Sequence, residues 1–225
     1  MKFISNINSY KKKYKTGYGL QVPDGHIIRI YKQIVEYELK KKKGNLLDYG
    51  CGNGIHSKWI TENGNWIPYG YDINLEAIKS AKKNNSKYKK NFFQSNEILP
   101  DLKKIFKVKF DFIICNQVLY YLENKDLKNI INQFSSILKP GGVFFASMMD
   151  KKNYYFKLSK GLKNSSLRKI TLNNRLKETT CINFKNKSEM LKDFKLFSKL
   201  HAGYYDTQIR EDEGSTKHIF FVGMK

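Results

Sequence analysis

Arginine is scarce in this chain. Only four of its 42 basic residues are arginine (Arg29, Arg168, Arg175 and Arg210), and the other 38 are lysine. The side chain that reads phosphates and base edges through paired hydrogen bonds is therefore largely missing, although a net charge of +22 alone would suggest a polyanionic partner. Asn, Ile, Tyr and Phe share AT-rich codons with lysine and are abundant too, so a biased genome accounts for much of the charge. Lysine runs at 11–13, 40–43, 82–83, 89–90, 103–104 and 151–152 are spread along the chain and read as solvated faces flanking helices. Cysteine is also sparse. Cys51, Cys115 and Cys181 have no metal-ligand spacing, so no metal site is expected, and their odd number in apolar or glycine settings reads as reduced thiols. No run approaches the ~18 apolar residues of a membrane span, and Met1–Asn6 carries no apolar signal-peptide core. A soluble, cytoplasmic protein without a membrane span is expected.

What is present is a chain of 225 residues, 40% apolar, enough for one α/β domain with a substantial core. Its most informative stretch is Leu46-Leu47-Asp48-Tyr49-Gly50-Cys51-Gly52-Asn53-Gly54. An apolar run ending in an acid and then three alternate glycines reads as a strand turning sharply into a helix, with backbone amides open to a ligand. Eighteen positions after Gly54, Asp72 closes a second apolar run (Trp66–Tyr71), where a carboxylate can accept hydrogen bonds from both hydroxyls of a ribose. The spacing G-x-G-x-G differs from the dinucleotide fingerprint G-x-G-x-x-G. The acid at Asp48 suits a cationic ligand and would oppose a pyrophosphate.

Strands are expected at 45–49, 66–72, 91–95, 110–115 and 143–148. Helices are expected over 24–43, 54–63, from Asn74 and near 99–106. Leu127, Ile130, Ile131, Phe134, Ile137 and Leu138 mark a further amphipathic helix, which Lys139-Pro140-Gly141-Gly142 stops. Alternating strands and helices predict a doubly wound parallel sheet with right-handed crossovers. Residues 151–193 show no long periodic run, and strand-like segments near 194–201 and 217–224 close the chain. One domain over 1–225 is the simplest layout: an N-terminal lid and helix (1–43), a cofactor-binding core (44–150), an insertion (151–193) and a final strand pair (194–225).

The pattern Asp48-x-Gly50-x-Gly52-x-Gly54 resembles the first motif of class I S-adenosylmethionine-dependent methyltransferases. Gly70-Tyr71-Asp72-Ile73-Asn74 is similar to that family's second-strand motif, Phe110–Asn116 to its fourth-strand motif, and Leu138–Gly142 to the turn before its fifth strand. The four motifs follow in order over 44–148. Tyr18–Arg29 also resembles an N-terminal motif of small-molecule methyltransferases from bacterial surface-polysaccharide clusters. The resemblance implies a Rossmann-like, seven-stranded, mostly parallel α/β sheet with an antiparallel last strand. It implies S-adenosyl-L-methionine as cofactor and S-adenosyl-L-homocysteine as product, held by Asp48, Gly50, Cys51, Gly52, Gly54, Asp72, Ile73, Ser95, Asn96 and Asn116. Two departures stand out. Ser95-Asn96-Glu97 replaces the acid usual after the third strand, and Tyr121 stands where many relatives carry histidine after the fourth.

Ligands of open α/β sheets bind beyond the carboxyl ends of the strands. That edge gathers Asn116, Gln117, Tyr121, Asp150, Tyr204, Tyr205 and His218, and an N-terminal lid would add Tyr18. The expected catalytic set is His26, Arg29, Tyr121 and His201. Each has a structural alternative: a helix cap for His26, a salt bridge for Arg29, packing for the aromatics and satisfied edge positions for His201 and His218. An acceptor hydroxyl needs a general base, whereas an anionic oxygen needs cationic positioning. The leading expectation is O-methylation of a small or carbohydrate-type acceptor, including an anionic, phosphoryl-containing or nucleotide-linked precursor of a bacterial surface glycan. An RNA or other nucleic-acid methyltransferase and a non-catalytic cofactor-binding protein are the alternatives. Against base methylation, the Asn/Asp-Pro-Pro-aromatic motif is absent and Asn116-Gln117-Val118-Leu119 stands there.

Overall fold

The computed structural model describes residues 21–97, 99–172, 178–208, 211 and 214–225. Tyr18, the first part of the Tyr18–Arg29 motif and Arg210 lie outside the described residues. The main sheet has seven strands in the order β3 (Phe92–Gln94), β2 (Asn65–Asp72), β1 (Lys43–Tyr49), β4 (Phe110–Cys115), β5 (Leu138–Met149), β10 (His218–Met224), β9 (Ser198–Tyr205). β1 is parallel to β2 and β4, β2 to β3, and β4 to β5, whereas β10 runs antiparallel to both neighbours. The expected Rossmann-like sheet with an antiparallel last strand is therefore present.

Period-two alternation sorts the central strands onto two faces. Leu47, Ile113, Cys115, Phe144 and Ala146 join the larger core with Leu127, Ile130, Ile131, Phe134 and Ile137 of helix α5 (Asn124–Ile137). Leu46, Phe112, Ile114, Val143 and Phe145 face the other way, against Ile27, Ile30, Tyr31 and Val35. These last belong to α1 (Gly25–Ile30) and the wider π-helical stretch that continues it over Tyr31–Glu38. The connecting helices are α2 (Ile55–Glu62), α3 (Leu75–Asn84) and α4 (Leu102–Ile105).

Three boundaries differ from the sequence reading. The first helix ends at Glu38 rather than near Lys43: Leu39 N–H donates to Ile34 O at 2.9 Å, widening the last turn, and Lys40 adopts a left-handed φ of 54°. Lys139–Gly142 is absorbed into β5 as an irregularity in its pairing with β4, between Phe110↔Leu138 and Phe112↔Val143. β9 begins at Ser198, four residues later than expected. Phe194 and Phe197 are apolar because they fill the core beside α7 (Lys187–Asp193), a turn apart, rather than because they are strand residues.

The stretch after β5 holds more order than its composition suggests. After the short helix α6 (Tyr154–Leu158), β6 (Lys160–Gly161), β7 (Arg168–Leu172) and β8 (Glu178–Ile182) form a separate antiparallel sheet. Ile170, Leu172, Ile182 and Phe184 join the larger core. Asn183 N–H donates to Tyr120 O at 2.7 Å, and its amide donates to Leu122 O at 3.0 Å, tying this sheet to the turn after β4.

Candidate active site

The glycine turn lies between β1 and α2, and its conformation explains its composition. Gly50, Gly52 and Gly54 all have left-handed φ, at 75°, 53° and 70°, which side-chain-bearing residues adopt at a cost. At Gly50 space forbids a side chain as well: a Cβ would stand 2.2 Å from Val118 Cγ2. The turn is held from both sides. Gly50 N–H and Cys51 N–H donate to Tyr71 O at 2.7 and 3.0 Å, while Asn84 and Asn85 at the end of α3 donate to Asn53 O and Gly54 O at 2.9 and 3.0 Å.

Asp72 closes β2 against this turn. Its carboxylate accepts Gly52 N–H at 2.9 Å on one oxygen and Asn74 N–H at 2.8 Å on the other. A carboxylate offers about four lone-pair sites, so roughly two remain for incoming hydroxyls. Burial and the negative Asp48 raise the Asp72 pKa to about 6. Asp48 is buried and accepts Ser57 O–H at 2.8 Å, and its own pKa is raised by desolvation. No lysine or arginine among the described residues pairs with either acid. Such a site lacks positive charge and offers acceptors, so it fits a cationic cofactor with ribose hydroxyls and would repel a pyrophosphate.

The remaining expected cofactor positions surround the turn. Cys51 is buried beneath it, packed with Ile78, Ala81 and Phe92, and burial pushes its thiol pKa well up. Ile73 O accepts the Gln94 amide at 3.1 Å, and that amide also donates to Asn96 Oδ1 at 2.9 Å. Ser95 Oγ accepts Glu97 N–H at 3.1 Å, while the Tyr71 hydroxyl donates to Glu97 O at 2.8 Å. Asn116, at the end of β4 and two residues before the Val118 that packs on Gly50, is the centre of a second polar cluster.

That cluster forms where β4, β5 and β9 end and β10 begins. Asn116 Nδ2 donates to the Asp24 carboxylate at 3.2 Å. Its Oδ1 faces His26 Nε2 at 3.0 Å, Ser147 Oγ at 3.1 Å and the Tyr205 hydroxyl at 3.4 Å. Gln117, in a left-handed conformation (φ 57°), donates its N–H to Ser147 Oγ at 2.8 Å and its amide to the Tyr205 hydroxyl at 3.4 Å. Strained non-glycine backbone of this kind concentrates at functional sites. The His26 ring stacks on Tyr205 at 3.7 Å, and Tyr205 stacks on His218 at 5.2 Å. His218 Nδ1 donates to Thr216 O, its Nε2 is buried without a partner among the described residues, and burial pushes its pKa down to about 4.

Charge at the cluster comes from Asp24. This residue occupies the N-cap position of α1 without capping it; its carboxylate turns to Asn116 and lies 3.4 Å from His56 Nε2, which accepts the Asp24 backbone N–H at 3.3 Å. The His56 contact holds the Asp24 carboxyl below its ordinary pKa, whereas burial holds the His26 imidazole below its own.

Of the four residues expected to be catalytic, His26 alone stands in this cluster. His201 does not: it sits opposite Val222, four residues before Tyr205, and its Nε2 meets the Glu38 carboxylate at 2.8 Å on an exposed surface. Arg29 is exposed on α1. Tyr121 is half-buried against the larger core, its ring 4.6 Å from Tyr120. Asp150 is buried and accepts Lys152 N–H at 2.7 Å, and Tyr204 is exposed beneath Lys217. Asp24 and Ser147 were not anticipated. An acid before a helix reads as a cap, and a serine within an apolar strand carries no signal of its own.

A family profile described as a methyltransferase domain matches residues 24–197. Among curated relatives, malonyl-[acyl-carrier protein] O-methyltransferase 2 of Ilyobacter polytropus is 36% identical over 125 residues, covering 53% of this chain and 44% of that protein. The ubiquinone biosynthesis O-methyltransferase of Coxiella burnetii is 27% identical over 127 residues, covering 56% and 53%. The chain thus spans about half the length of these relatives. The crystal structure of the N-methyltransferase NodS from Bradyrhizobium japonicum WM9, in complex with S-adenosyl-L-homocysteine, shares the fold with a TM-score of 0.64 at 15% identity, covering 98% of each chain. The chain belongs to the methyltransferase-domain family and, by fold and glycine turn, to its class I S-adenosylmethionine-dependent members.

Proposed function

We propose that this protein transfers a methyl group from S-adenosylmethionine to an oxygen of a small, hydroxyl-bearing acceptor, with His26 as general base. When bound, the cofactor supplies a methyl group on a cationic sulfur, open to in-line displacement. The residues of the turn would hold it: Asp72 for the ribose hydroxyls, the Gly50–Gly54 backbone for close approach, Asp48 for electrostatic balance, and Ser95–Glu97 beyond β3. His26 then takes the acceptor proton. Its Nε2 is committed to Asn116 Oδ1, which leaves Nδ1 as the basic nitrogen, and its lowered pKa keeps the ring neutral at pH 7. The stacked and hydrogen-bonded surroundings of His26 supply alignment.

The His26–Asn116 contact carries this reading, and the O-methyltransferase relatives support it. A carbohydrate-type acceptor, as in a precursor of a bacterial surface glycan, is the candidate suggested by the 18–29 motif. Three free cysteines, all buried, are compatible with a reducing cytoplasmic setting. The test is to incubate the protein with methyl-labelled S-adenosylmethionine and, in parallel, the small-molecule extract and the total RNA and DNA of its source organism. Label should enter a small product and stay out of RNA and DNA. Label recovered in nucleic acid would overturn the reading.

A further inference from the structure

The directions of the protons in the His26 cluster follow from a single side chain. An ionised carboxylate only accepts hydrogen bonds, so Asp24 forces the Asn116 NH2 toward itself and Oδ1 toward His26, Ser147 and Tyr205. Each of those three must then donate. Ser147, having donated, accepts the Gln117 backbone N–H, which is always a donor. Tyr205, having donated, accepts from the Gln117 amide, which turns its NH2 inward and leaves Oε1 outward. Two atoms end the chain without a partner among the described residues: His26 Nδ1 and Gln117 Oε1. Neither is among the buried atoms left without a partner, and both side chains are half-buried rather than enclosed in the core. Both are bare lone pairs.

The site therefore presents two acceptors beside the negative Asp24. No lysine or arginine among the described residues contributes to the charge at Asp24 or His26. A carboxylate or phosphoryl oxygen brought here would meet lone pairs and a negative charge without a donor. A neutral hydroxyl would give its proton to one acceptor and align a second donor on the other.

We infer that Asp24 is a positioning residue that polarises the cluster, and that the cluster selects as acceptor a neutral hydroxyl group accompanied by a second hydrogen-bond donor, so that the product is a methyl ether rather than a methyl ester. This rests on the transferase reading above and narrows it: any phosphoryl or nucleotide portion of the acceptor lies away from the reacting oxygen. Asp24 also explains itself on this account. It occupies a cap position yet gives its carboxylate to Asn116 instead of the helix amides, while its backbone N–H donates to His56 Nε2 at 3.3 Å.

The test follows the methyl group. Methyl transfer from S-[methyl-13C]adenosylmethionine into the source organism's small-molecule extract is read by 13C NMR of the product. The expected signal is a methyl ether without phosphorus coupling, unchanged by alkali. A carboxyl ester, which releases methanol in alkali, or a phosphorus-coupled methyl would overturn the inference while leaving O-methyl transfer intact. An N-methyl signal, or no transfer by a protein that binds the cofactor, would overturn the transferase reading and this inference with it.

Asp24→Asn tests the positioning role. His26 is faced by Asp24 from its own segment, by His56 from α2, by Asn116 from the end of β4, and by Tyr205 and His218 from β9 and β10. Of these, Asp24 supplies the negative charge that favours protonated His26. In Asp24→Asn the kcat plateau should fall about 10-fold or more and the acid limb of the pH profile should move to lower pH, with the cofactor Kd nearly unchanged. An unaltered limb and plateau in the folded variant would contradict the role. If that variant does not fold, the ether-or-ester result on the natural protein still decides the acceptor class.

Discussion

The amide of Asn116 donates to the carboxylate of Asp24 across 92 residues of chain, at 3.2 Å. This contact fastens the start of α1 over the end of β4 and brings His26 to the edge of the sheet where the glycine turn also lies. The donor side of the reaction is built from local sequence, whereas the acceptor side depends on this long-range closure.

The first prediction concerns Asp72. Hydroxyls donate to its ionised form, and burial places its pKa at about 6, so S-adenosylmethionine affinity should fall as pH drops through about 6. Calorimetry between pH 5 and 8 checks this. Asp72→Ala should weaken binding by roughly 1.5–3 kcal/mol, the range for hydrogen bonds to a charged group. A pH-independent Kd would remove Asp72 from the ribose.

The same residue should weigh on stability in the opposite sense. A carboxyl whose pKa is raised in the folded state binds its proton more tightly there, so its contribution to stability falls as pH rises from about 4 towards 6 and stays low above. The urea midpoint of the natural protein relative to Asp72→Asn should therefore fall between pH 4 and 6, on top of a pH-independent loss in the variant, whose amide NH2 meets one of the two backbone donors, Gly52 N–H or Asn74 N–H.

Gly50→Ala should be costly for two reasons: a φ of 75° and a Cβ 2.2 Å from Val118 Cγ2. A loss of about 2 kcal/mol or more is expected from the strained backbone and the overlap, measured from the urea midpoint, together with weaker cofactor binding. An unchanged midpoint would show that the turn is not as tightly enclosed as described.

His201→Ala should do little. Its partner Glu38 and the pair itself are exposed, so the stability change should stay under ~1 kcal/mol and methyl transfer should continue at the natural rate. A large loss of kcat would return His201 to the reaction.

These contrasts show what sequence could and could not reveal. The glycine turn, Asp72 and the alternating faces of β1, β4 and β5 were legible because they depend on neighbours a few residues apart. The sheet order followed from strand–helix alternation. Phe194 and Phe197 misled because apolar residues in a short helix-and-turn look like a strand edge. His26 was legible as a candidate, but its partners Asn116, Ser147 and Tyr205 lie 90 or more residues away, and no local pattern announces such a meeting. His201 had the same credentials as His26, and only register placed it mid-strand beside Glu38.

His26 as the base for transfer to oxygen is tested most directly by the rate of labelled methyl transfer by His26→Ala at saturating S-adenosylmethionine. Loss of general-base assistance should lower kcat by about 10²–10⁴-fold while the cofactor Kd, governed by Asp72 and the glycine turn, stays close to its natural value. A variant that binds the cofactor normally and transfers at the natural rate would contradict it.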